Sequence, residues 1–121
     1  MADGAGGRLA YWPRVWAARS MAYLGDLDAV GPLVNGISDE HWRVRMTCIQ
    51  SLGRLGAEGL TGELVRGLGD EHRRVREATV VALGRVGNGD AIRWLSRALA
   101  TEPENRKLEV AISRIEQRRG A

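Results

Sequence analysis

The chain of 121 residues is long enough for one compact domain, and its 44% hydrophobic and 27% charged residues are ordinary for a soluble globular protein. Its formal net charge of +3 is low for a dedicated nucleic-acid binder, and acidic and basic residues are interspersed along most of the sequence. The single cysteine, Cys48, excludes an internal disulfide and fits a reducing compartment, so a cytoplasmic location is expected. No stretch is long and apolar enough for a membrane span.

The N-terminal segment is small and flexible in composition and lacks the apolar run of a secretory signal. We therefore expect a disordered lead-in over residues 1–8, a single domain over 9–118 and a short tail over 119–121.

The sequence of this domain repeats itself with an offset of 31 positions, the difference between 39 and 70. Asp39-Glu40-His41 recurs as Asp70-Glu71-His72, and the run 52–56 recurs as 83–87 with one conservative change. Such a period indicates stacked units that cannot bury their apolar faces alone. The predicted units cover about 11–38, 39–69 and 70–100, followed by a C-terminal half-repeat over 101–118.

Each unit is predicted to contain two helices. Val44, Cys48 and Leu52 recur at a spacing of four, which indicates an apolar stripe along an α-helix. The glycines of segment 59–68 predict that its helix is the least stable. The predicted helices cover about 12–24, 28–37, 40–55, 59–68, 71–86, 90–100 and 105–118.

The predicted helix ends carry typical capping residues. Asp39 and Asp70 stand just before long helices, where a carboxylate accepts hydrogen bonds from free backbone N–H groups. Gly56 and Gly87 follow the same helices, where a left-handed C-cap favours glycine. Pro13 fits the first turn of the first helix.

The pattern Asp-x-x-x-x-Val-Arg, followed by Leu-Gly-x-Leu/Val-Gly, resembles the HEAT-like repeat of phycobilisome lyases over about residues 11–115. The resemblance implies an all-α fold, an α-solenoid of about three and a half helical hairpins with roughly seven helices. It implies little about function.

The resemblance also implies that aspartate and arginine side chains pair between adjacent repeats as a ladder. A partly buried arginine needs a carboxylate to offset its desolvation. Thr101 weakens the ladder at the C-terminal end. Arg14 is expected to lack an earlier acidic partner, because Arg8 stands there, and so to be free to bind. The matching ladder residues are Asp39, Arg45, Asp70 and Arg76.

A binding surface is predicted on the side of the long helices that faces away from the core stripe. In HEAT-like folds this side is concave, so it would form a groove that is apolar at one end and charged at the other. Exposed aromatic residues and methionine in a groove are typical binding anchors. The predicted contacts are Tyr11, Val15, Trp42, Met46, Ile49, Arg73 and Glu77.

The N-terminal end of the stack is a second candidate surface. Trp12 and Trp16 make this end apolar, whereas the end of a solenoid normally carries a polar cap. The end is expected either to dock onto another subunit or a second copy, or to be covered by its own rings.

These observations predict a non-enzymatic module that binds a protein or peptide as an adaptor, scaffold or assembly factor. No catalytic constellation, cofactor motif or metal site is expected, since His41 and His72 lie one repeat apart, too far to share one ion. One alternative is a lyase-like or chaperone subunit for a chromophore-bearing protein, which rests on the resemblance alone. Another is a nucleic-acid-binding module with a basic concave face, although nucleic acid is not the expected partner.

Overall fold

The computed structural model describes residues 10–25 and 27–120. This part of the chain contains seven α-helices and no strand, so the all-α prediction is confirmed. A 3₁₀ turn, Leu27–Ala29, precedes the second helix, and a 3₁₀ helix, Val65–Gly69, continues the fourth. The helices are α1 (Trp12–Leu24), α2 (Val30–Gly36), α3 (Trp42–Leu55), α4 (Thr61–Leu64), α5 (Arg73–Val86), α6 (Gly89–Thr101) and α7 (Arg106–Gly120).

The helices form two layers of an α-solenoid. The odd-numbered helices pack side by side in chain order, α1 on α3, α3 on α5 and α5 on α7. The even-numbered helices form the second layer, in which α2 packs on α3, α4 with its 3₁₀ extension packs on α5, and α6 packs on α7. Each unit contacts mainly its neighbours, as expected for a repeat protein.

The core lies between the two layers. The predicted stripe of α3 is buried, with Val44, Cys48 and Leu52 at most 3% exposed. Burial of such side chains supplies most of the stabilising free energy, at about 25 cal/mol per Å² of apolar surface. The largest side chains that are almost completely buried are Leu33, Ile49, Leu52, Leu64, Leu83, Leu95 and Ile115.

Helices α3 and α5 begin with a two-step cap that differs from the prediction. The N-cap residues are His41 and His72, whose Nδ1 atoms accept hydrogen bonds from backbone N–H groups two residues later, at 3.1 and 3.2 Å. The predicted caps, Asp39 and Asp70, stand two residues before the histidines and accept a hydrogen bond from the backbone N–H of each histidine, at 2.9 and 2.8 Å. The carboxylates therefore fix the histidines, and the histidines cap the helices.

The other predicted helix ends are mixed. Pro13 lies in the first turn of α1, and Gly56 ends α3 in the left-handed conformation with φ +69°, as predicted. Gly87 ends α5 with φ −70°, so the left-handed cap predicted there is wrong. Gly87 is instead tightly packed, since a Cβ at this position would meet the backbone carbonyl of Leu83.

Candidate functional site

Arginine and aspartate side chains join consecutive repeats through bidentate ion pairs. Arg14 Nε lies 2.8 Å from Asp39 Oδ2 and its Nη2 lies 3.1 Å from Oδ1. Arg45 holds Asp70 in the same way, at 2.8 and 3.0 Å. Each arginine therefore reaches forward to the next repeat, and the prediction that Arg14 lacks a partner is wrong because it assumed the opposite direction.

The two ion pairs differ in exposure. The side chains of Arg45 and Asp70 are 13% and 12% exposed, whereas that of Arg14 is 40% exposed. Desolvation alone would raise the pKa of each aspartate. The hydrogen bonds from the arginine and from the backbone N–H of the following histidine outweigh it, so the pKa of Asp39 and that of Asp70 lie below the ordinary value. Both carboxylates are therefore charged at neutral pH.

Arg76 is the third arginine of the series. Its Nη1 donates to the backbone carbonyls of Asp70 and Glu71, at 2.8 and 3.1 Å. Arg45 makes the equivalent bonds one repeat earlier, to Asp39 and Glu40. Among the residues that the structure describes, however, no carboxylate forms an ion pair with Arg76.

Aromatic rings and histidines form a second connection between repeats. Tyr11 stacks on His41 and Trp42 stacks on His72, with ring centroids 3.6 and 3.8 Å apart and planes inclined by 9° in both pairs. The guanidinium of Arg43 also lies over Trp42, 4.8 Å from its centroid. Trp42 is therefore largely engaged at a repeat junction.

Part of the predicted binding surface is wrong. Tyr11, Val15 and Ile49 are 8%, 5% and 0% exposed, so they cannot present apolar surface to a partner. The prediction assumed that a long helix buries only one stripe. A helix between two neighbours and a second layer is covered on three sides, so its exposed strip is narrower. Of the other predicted contacts, Trp42 and Met46 are half-buried, Arg73 is exposed and Glu77 is half-buried.

The strip that remains exposed on α3, α5 and α7 is rich in arginine. A groove of about 380 Å³ lies between α3 and α5, with Met46 and Val81 at its apolar surface, and a second of about 340 Å³ lies between α5 and α7, beside Val110. We call this surface the arginine face. Its basic residues are Arg54, Arg74, Arg85, Arg106, Lys107 and Arg114.

Few acidic residues balance these charges. Neither α1 nor α3 contains an aspartate or glutamate, and α5 contains only Glu77. Helix α7 contains Glu109 and Glu116, but neither lines the two grooves. Glu77 is itself paired, since its Oε2 lies 3.4 Å from Arg73 Nε and 3.9 Å from Lys107 Nζ. The sequence appeared charge-balanced because many acidic residues stand in the segments between helices. The sequence prediction did not use the lack of aspartate and glutamate in α1 and α3, although the sequence contains this signal.

The N-terminal end of the stack exposes large apolar side chains. Trp12 and Trp16 are 37% and 59% exposed. Trp16 occupies the repeat position of Thr47 and Ala78, which are 4% and 7% exposed and lie on helices that have a preceding neighbour. Tyr23, Leu24 and Leu27 of the first repeat are also exposed, at 82%, 79% and 67%.

The described residues contain an unreactive cysteine and neither a metal-binding cluster nor a membrane-spanning helix. Burial raises the pKa of the Cys48 thiol to about 12, with a smaller contribution from Asp39, so the thiol is protonated and unreactive at neutral pH. Within residues 10–25 and 27–120, no group of three or more histidine, cysteine, aspartate or glutamate side chains is placed to hold a metal ion. No helix in the same ranges has the length and apolar character needed to cross a membrane.

Comparison with known proteins agrees with this architecture. Residues 10–65 match the family model of HEAT repeats. HEAT repeats typically mediate protein interactions. The match ends at the start of the 3₁₀ extension of α4, and α5 beyond it repeats the histidine cap and the buried core positions of α3. No curated protein matches the chain.

Proposed function

We propose that the chain is a non-enzymatic interaction module that binds an acidic segment of a partner protein along the arginine face. The supporting observation is the segregation of charge, since exposed arginines line two adjacent grooves whose described lining residues include one carboxylate, that of Glu77. Electrostatic complementarity of this kind sets the choice of partner and speeds association.

The shape of the face favours an extended or helical peptide. The grooves run between neighbouring helices, and each contains an apolar floor, at Met46 and Val81 in one and Val110 in the other. A segment with apolar residues at a helical or alternating spacing and acidic residues beside them would match this surface. Of the contacts predicted from sequence, Met46 and Glu77 line the groove between α3 and α5. Trp42 and Arg73 line neither groove, and their role in binding stays a prediction.

The proposal is tested by a nuclease-treated pull-down from source lysate. The baits are the wild-type chain, the variant Arg54→Glu/Arg85→Glu on the arginine face, and the control Arg66→Glu/Arg97→Glu on exposed arginines of the second layer. Both variants change the net charge equally, so only the location of the change differs. Each bait is first checked for the wild-type helical signal and melting temperature.

The expected result is an acidic protein that is retained by the wild type and the control and lost by the arginine-face variant. Its binding should weaken as salt is added, because exposed charges are screened. Equal retention by all three baits would contradict the proposal. Retention that disappears on nuclease treatment would favour the nucleic-acid alternative instead, since the same arginines can contact phosphates.

A second candidate, self-association through the N-terminal end, is favoured by the exposure of Trp16 at a repeat position that is otherwise buried. Sedimentation of the wild type and Trp16→Ser over a range of concentrations tests it. A wild-type dimer that the variant lacks is expected, and a wild-type monomer at all concentrations would contradict it.

The remaining expectations stay predictions. The lyase-like or chaperone role toward a chromophore-bearing protein rests on the sequence resemblance alone, and colour retained on purification would support it. The cytoplasmic location likewise rests on cysteine usage.

A further inference from the structure

Arg76 lines a cleft of about 120 Å³ between α5, the end of α6 and the start of α7. The cleft adjoins the groove between α3 and α5, because Glu77 and Lys107 line both. We infer that this cleft is a binding site for a carboxylate, an aspartate or glutamate side chain of the partner segment. The inference rests on the proposed function and names the contact that anchors the segment.

The repeat itself supplies the evidence for the ligand. In all three repeats the arginine lies at the same position, and in two of them a carboxylate of the next repeat occupies the Nε and Nη2 edge, at 2.8 to 3.1 Å. In the third, Nη1 is held by the same two backbone carbonyls as in Arg45, so the guanidinium is oriented for the same bidentate contact. The position of the next aspartate is occupied by Thr101, which lies in α6 and whose hydroxyl donates a hydrogen bond to the backbone carbonyl of Arg97.

The charges in the cleft also favour an anion. Arg73, Arg76 and Lys107 line it together with two carboxylates, those of Glu77 and Glu102, which leaves one positive charge in excess. Both carboxylates already have partners: Glu77 pairs with Arg73 and Lys107, and Glu102 accepts a hydrogen bond of 2.8 Å from Asn105. The planar fork of arginine binds a carboxylate through two parallel hydrogen bonds, a geometry that lysine cannot reproduce.

The first experiment observes the site directly by NMR. N-acetyl-aspartate N-methylamide is titrated into the ¹⁵N-labelled wild-type chain while the arginine Nε–Hε resonances are followed. The expected result is a saturable shift of the Arg76 resonance, with those of Arg14 and Arg45 unchanged because their forks are occupied. No shift at Arg76, or an equal shift at all three arginines, would overturn the inference.

The second experiment measures the anchor by fluorescence anisotropy. The probe is a short labelled peptide of alternating glutamate and leucine with an amidated C-terminus, so that only side chains supply carboxylates. Arg76→Lys keeps the charge but loses the fork, and its affinity should fall at least about tenfold. The control Arg97→Lys makes the same exchange on the second layer and should bind like the wild type. A serine-leucine peptide with a free C-terminus tests the other source of a carboxylate and should not bind.

The outcomes separate this inference from the proposed function. Equal binding of the acidic peptide to the wild type and Arg76→Lys would overturn the carboxylate anchor and leave the arginine face in place. A shift at Arg76 without binding of the acidic peptide would support the cleft and overturn the proposed function. If Arg76→Lys fails to fold, the titration of the wild type decides the inference alone.

Discussion

The buried pair of Arg45 and Asp70 should contribute more to stability than the more exposed pair of Arg14 and Asp39. Asp70→Asn leaves the Arg45 guanidinium, whose side chain is 13% exposed, with only the exposed carboxylate of Glu71, 4.0 Å from its Nη2, as counter-charge. Breaking a buried pair by removing one partner costs about 3 kcal/mol or more. In Asp39→Asn the guanidinium left behind is 40% exposed, so water solvates it and the cost should be about 1 kcal/mol.

The two substitutions are matched in the other hydrogen bond of the aspartate. Each aspartate also accepts the backbone N–H of the following histidine, and the asparagine oxygen can keep that hydrogen bond in both variants. Urea denaturation gives the free energies of unfolding, and a melting temperature should fall by roughly 4 °C per kcal/mol for a chain of this size. Adding Arg45→Met to Asp70→Asn should recover part of the loss, because no unpaired buried charge remains. If Asp70→Asn costs no more than Asp39→Asn, burial does not determine the strength of these pairs.

Three further predictions concern the fold. Gly36→Ala should destabilise the chain by about 1–3 kcal/mol, because the new Cβ would overlap the Sγ of Cys48. Adding Cys48→Ala should restore most of the lost stability, as measured by urea denaturation, and no restoration would contradict this contact. Burial, followed by the nearby Arg43 charge, lowers the pKa of His41, so this histidine is protonated in the unfolded chain at a higher pH than in the folded one, and the free energy of unfolding should fall as the pH drops through 6.5. His41→Asn should flatten this dependence of the unfolding free energy on pH, and an equal slope in both chains would exclude His41 as its source. Helix α4 has one α-helical turn before its 3₁₀ extension, so its amides should exchange with solvent faster than those of α5, and equal protection would refute this.

Most of the architecture was readable from sequence because it depends on periodicity. The offset of 31 positions and the stripe of Val44, Cys48 and Leu52 predict helix number, order and core without knowledge of contacts. Periodicity does not show whether an arginine pairs with an aspartate before it or after it in the chain. In the sequence Arg45 stands six residues after Asp39 and 25 residues before Asp70, and the packing of α3 on α5 selects Asp70 as its ion-pair partner.

The candidate site was harder to predict, since exposure depends on how many neighbours cover a helix. Ile49 lies about 100° from the centre of the core stripe in a helical projection. It is nevertheless completely buried, because α3 packs against α1, α5 and α2. The cleft at Arg76 depends on where α7 begins, at Arg106, and the repeat pattern is loose in that region. The absence of acidic residues from α1 and α3, by contrast, can be recognised from the sequence by comparing the composition of the predicted helices.

The forward direction of the arginine pairs has a consequence for a chain that is still being synthesised. Arg14 and Arg45 each pair with an aspartate 25 residues further along the chain, so neither guanidinium has this partner when its own helix leaves the ribosome. A nascent repeat therefore carries an unpaired cation until the start of the following long helix has emerged. Each repeat is completed by the next one, which favours the joint folding of neighbouring units over the stepwise addition of finished ones.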